Sequence, residues 1–74
     1  MPLSQYKHLS GDKVVKILCK HFHFVVVSQK GSHVKLRNDY YTTIVPRHKE
    51  LAYGTFTSIL ELAHIHQEEF YKYL

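Results

Sequence analysis

The stretch that most constrains the fold is Gln29-Lys30-Gly31-Ser32-His33-Val34-Lys35-Leu36-Arg37. Gly31 accepts φ > 0 without a steric penalty, so Gln29-Lys30-Gly31 has the character of a turn. From Ser32 the residues alternate. Ser32, Val34 and Leu36 point one way, and His33, Lys35 and Arg37 the other. That two-residue period belongs to a strand buried on one side. Its polar side sets an imidazole and two permanent cations in a row, roughly 6.6–6.8 Å apart. Such a row has the spacing of successive phosphates on an extended nucleic-acid strand, and it also suits a plain solvated sheet face.

The elements around this strand follow from period and punctuation. Ser10 is a good N-cap and Asp12 lies in the following turn, where a carboxylate suits the helix dipole. A helix is expected from there to residue 21 or 22, with Val14, Val15, Ile17, Leu18 and Phe22 apolar and Lys13, Lys16 and Lys20 solvated. Residues 24–28 are aromatic and β-branched and form a first strand. Residues 32–37 are the second. Asn38-Asp39 makes a turn, and residues 40–45 the third strand, stopped by Pro46. After a charged loop over 47–53, Phe56, Ile59, Leu60 and Ala63 at i, i+3, i+4, i+7 mark a second helix opening near Gly54-Thr55. Residues 67–74, with Phe70 and Leu74 four apart, form a short third one. Hairpin-length connections make the sheet an antiparallel meander. The expected fold is therefore α+β, in the order α-β-β-β-α with a short C-terminal helix, and residues 1–74 are expected to form a single domain whose first nine residues are a short leader.

Composition narrows the chemistry. Ten Lys/Arg against six Asp/Glu give a net charge of +4, which favours an anionic partner such as nucleic acid. Between His21 and Lys49 the only acid is Asp39, so the middle of the chain is the basic surface. The single cysteine, Cys19, cannot form an internal disulfide and is expected as a buried thiol. No apolar run approaches the ~18 residues that cross a bilayer, and no signal-peptide core opens the chain; a soluble, cytoplasmic protein is expected.

The element order and basic middle strand resemble the double-stranded-RNA-binding fold. Four ordered stretches are closer still to one family: residues 9–18 (L-S-G-D-K-V-V-K-I-L), 29–33 (Q-K-G-S-H), 45–51 (V-P-R-H-K-E-L), and Gly54-Thr55 leading to Ser58-Ile59-Leu60. Together they resemble the HicA toxins, mRNA interferases of HicA–HicB toxin–antitoxin systems. The resemblance implies a cytoplasmic endoribonuclease that cleaves mRNA without a metal or other cofactor, is silenced by a HicB-like antitoxin, and uses the histidine after the turn's Gly-Ser, here His33. The chain departs from the family's pattern at His23 and His64, where the family usually has glycine after a helix.

The residues themselves are compatible with that chemistry. A histidine can remove or supply a proton at neutral pH, and neighbouring cations stabilise charge on a phosphate. His33 is the candidate catalytic residue. Lys30, Ser32, Lys35, Arg37, Arg47 and His48 are candidate RNA contacts, with His48 also a candidate proton donor. Tyr40 or Tyr41 could stack on a base, but as neighbours on a strand they face opposite sides, so at most one lies on the active face. The pairs His21/His23 and His64/His66 have a spacing that zinc ligands use, but exposed histidines at helix ends suit the dipole equally, and no metal site is expected. Two other classes stay open: a non-catalytic RNA-binding module using the same strand face, and a docking domain for an acidic protein. Neither requires an ionisable group among the cations.

Overall fold

A computed structural model describes residue 6 and residues 8–74; the rest of the expected leader lies outside the described residues. The order is α1 (Gly11–His21), β1 (Val25–Lys30), β2 (His33–Arg37), β3 (Thr42–Pro46), α2 (Tyr53–Ala63) and α3 (Gln67–Tyr71). The three strands form one antiparallel sheet in the order β1-β2-β3. The chain is α+β with the expected succession of elements.

Each helix forms where its sequence signals lie. Ser10 caps α1, its hydroxyl accepting from the Lys13 amide at 3.0 Å. Val14, Ile17 and Leu18 are buried against the sheet. In α2 the same is true of Phe56, Ile59, Leu60 and Ala63. From the sheet come Val34 and Leu36 of β2 and Val45 of β3. Thr43 is buried among them, and its hydroxyl donates to the Ile59 carbonyl at 2.8 Å, fastening β3 to α2. Both helices thus lie on one face of the sheet. On the other, His33, Lys35, Arg37 and Ile44 meet solvent.

Some local expectations shift. The hairpin turn is Gly31-Ser32, two residues later than a Gln29-Lys30-Gly31 turn, because Lys30 pairs with His33 and extends β1. Gly31 has φ +58 at the first central position, the geometry that two-residue hairpins require there. Ser32 consequently sits in the turn and begins no strand. The third strand starts at Thr42. Asn38 Oδ1 accepts from the amides of Tyr40 and Tyr41 at 3.0 and 2.8 Å, which holds both tyrosines in the turn. Cys19 is exposed: it lies about 140° around the helix from Val14, off the buried stripe. Leu74 is exposed as well, since α3 ends at Tyr71.

Candidate active site on the open face of the sheet

Register places the candidates together. His33 lies opposite Lys30 on β1 and Pro46 on β3, Lys35 opposite Ser28 and Ile44, and Arg37 opposite Val25 and Thr42. Directly opposed residues share a face, so Lys30, His33, Lys35 and Arg37 stand on the same solvated surface. Val34 and Leu36, the alternate residues of β2, are anchored in the core. The row is therefore held by the buried alternate residues of β2 while its charged members stay exposed. The side chain of His33 makes no hydrogen bond or ion pair among the described residues.

The turn that precedes His33 is tied to the end of β3. The Arg47 amide donates to the Ser32 carbonyl at 2.7 Å. The loop after β3 then runs along the start of α1, where the Gly11 amide donates to the His48 carbonyl at 2.9 Å and the Leu51 amide to the Leu9 carbonyl at 2.8 Å. Tyr6 adds a hydrogen bond from its hydroxyl to the Leu51 carbonyl. Gly11 is required by this closeness. A Cβ at that position would lie 1.9 Å from the Pro46 carbonyl oxygen. The cap is legible in the sequence and the contact is not, its one available signal being a glycine straight after an N-cap.

Arg47 and His48 differ from the other candidates. The Arg47 guanidinium is engaged with Asp12, Nε to Oδ1 at 2.7 Å and Nη2 to Oδ2 at 3.3 Å. These hydrogen bonds from Arg47 hold the Asp12 carboxyl below its ordinary range, and the guanidinium is correspondingly raised. Both side chains are about half exposed or more, at 46% and 63%, so water screens the pair and an anion can compete for the arginine. His48 is exposed, with its carbonyl committed to Gly11.

The aromatic and histidine candidates separate. Tyr41 stacks on His64 with centroids 3.9 Å apart and planes 9° from parallel, so it closes the end of α2. Tyr40 is 84% exposed. His21 stacks on Tyr73 at 3.9 Å. No three His, Cys, Asp or Glu side chains among the described residues are grouped as metal ligands, and no helix among them is long and apolar enough to cross a membrane. His23 and His64 hold φ at +63 and +57, the backbone that glycine adopts at a helix end.

Among known proteins, no curated sequence matches the chain at a significant level. The family model for the HicA toxin of bacterial toxin–antitoxin systems matches residues 11–65, from the first helical residue through the end of α2. It spans the whole sheet and the His33 turn. With this match over most of its length, the chain belongs to the HicA toxin family of bacterial toxin–antitoxin systems.

Proposed function

We propose that the protein is an endoribonuclease toxin that cleaves mRNA in the cytoplasm, with His33 as its catalytic acid/base. The observation that carries this reading is the place of His33: exposed, at the turn end of a rigid strand, in a face shared with Lys30, Lys35 and Arg37. An extended RNA laid along β2 would set one phosphate near each member of the row. His33 then takes the proton of a 2′-hydroxyl. The 2′-oxygen attacks the adjacent phosphorus, the P–O5′ bond breaks, and an acid protonates the departing 5′-oxygen. The cations of the row offset the charge that grows on the phosphate. This sequence uses acid–base chemistry alone and calls for no metal. Family membership implies an antitoxin partner; in this reading it is a HicB-like protein that covers the basic face and keeps RNA out.

The test is the chemistry of the cut. Purified protein in excess chelator should cleave labelled RNA to fragments ending in a 2′,3′-cyclic phosphate and a 5′-hydroxyl. A 2′-deoxy substitution at a mapped cut site should block cleavage there. Cleavage that requires an added divalent cation, or that persists through the 2′-deoxy substitution, would contradict the reading.

A further inference from the structure

We infer that the cavity at the Arg37 end of the basic row is a guanine-binding subsite, with Asp39 as its base-reading residue. The inference rests on the ribonuclease reading above. The cavity, about 380 Å³, is lined by His23, Val25, Arg37, Asn38 and Asp39. It lies where β1 begins and β2 ends, since Val25 and Arg37 are directly opposed on the open face. Arg37 lies four residue steps along the strand from His33, roughly 13 Å. An extended RNA whose reacting phosphate sits at His33 therefore presents a base here about two nucleotides away.

Asp39 is the feature that phosphate binding does not explain. It is the only acid between His21 and Lys49, and a carboxylate beside a cation row repels the backbone the row attracts. The turn does not need it either. Asn38 supplies the side-chain oxygen that caps the Tyr40 and Tyr41 amides, and its amide nitrogen donates towards the Phe22 carbonyl at 3.5 Å. Asp39 is exposed, and its carboxylate makes no hydrogen bond or ion pair among the described residues.

The chemistry selects one base. A carboxylate offers two acceptors and no donor. Guanine alone presents two adjacent donors, N1–H and the N2 amine, on its Watson–Crick edge. Adenine and cytosine each set one amine beside an acceptor nitrogen, which the second carboxylate oxygen would repel. Uracil has a single N–H between two carbonyls. Arg37 stays on the phosphate beside this base, where it positions the strand and leaves the base edge to Asp39. Val25, 59% exposed, supplies an apolar surface for the ring. Single-stranded RNA suits such recognition, since its bases can splay out and be read on that edge.

The probe is a set of 2′-O-methyl hexauridylates with one position changed to guanine, inosine or adenine, titrated by fluorescence anisotropy. The guanine hexamer should bind about tenfold more tightly than the other two, inosine losing the N2 amine and so one of the two hydrogen bonds. Asp39→Asn should remove the difference, because an amide offers one acceptor in place of two. Equal binding of the three hexamers, or a guanine preference that survives Asp39→Asn, would overturn the inference. A 2′-O-methyl backbone cannot be cut, so these outcomes stand apart from the ribonuclease reading, which falls instead if unmodified RNA is cleaved equally by wild type and His33→Ala.

Discussion

At His23 and His64 a side chain occupies backbone with φ +63 and +57, where glycine carries no Cβ penalty and histidine carries one of about 1 kcal/mol. The two sites differ in what the histidine gives back. His64 stacks on Tyr41, a contact worth about 0.5–1.5 kcal/mol, and its amide and that of Ile65 close α2 onto the Glu61 and Leu60 carbonyls. His23 is exposed. His23→Gly should accordingly raise the melting temperature by about 4–8 °C, while His64→Gly should change it little. A lower melting temperature for His23→Gly in thermal denaturation would show that its side chain contributes more than its backbone costs. Both positions were legible in the sequence as departures from an expected glycine. The stack on Tyr41 was not, because it joins residues far apart in the chain and no local pattern records it.

At the scale of the elements, α1 and β3 meet at Gly11, whose missing side chain is what lets the Pro46 carbonyl approach. Gly11→Ala forces backbone apart from backbone. It should destabilise the protein by about 1–3 kcal/mol or more, measured by urea unfolding, and a loss below about 0.5 kcal/mol would mean that the contact relaxes without strain. The buried stripes of α1 and α2 and the alternation of β2 were legible because period alone determines them. The hairpin turn fell two residues off, since the end of β1 is decided by the pairing of Lys30 with His33. Tyr40 and Tyr41 have strong β propensity, yet the Asn38 side chain captures both amides and delays β3 to Thr42. The cation row of the candidate site was legible for the same reason as β2. The engagement of Arg47 with Asp12 was not, because 35 residues separate them.

Across the whole molecule, two helices cover one face of the sheet and leave the other as a basic surface, with Asp39 near its edge. In the proposed function Lys35, opposite Ser28 and Ile44 in the middle of that face, holds the phosphate backbone. Lys35→Ala should weaken single-stranded RNA binding alike for all sequences and flatten the log–log salt dependence by about 0.7. A loss confined to particular sequences would make Lys35 a base reader. The proposed division of labour gives the chemistry to His33 and the binding to the cations around it. It is tested most directly by comparing wild type and His33→Ala in one experiment, with the cleavage rate of a labelled RNA and the affinity for its 2′-O-methyl counterpart read side by side. The rate should fall by about 10²–10⁴, with affinity and stability each unchanged within about 0.5 kcal/mol; cleavage at the wild-type rate by His33→Ala would rule His33 out as the catalytic group.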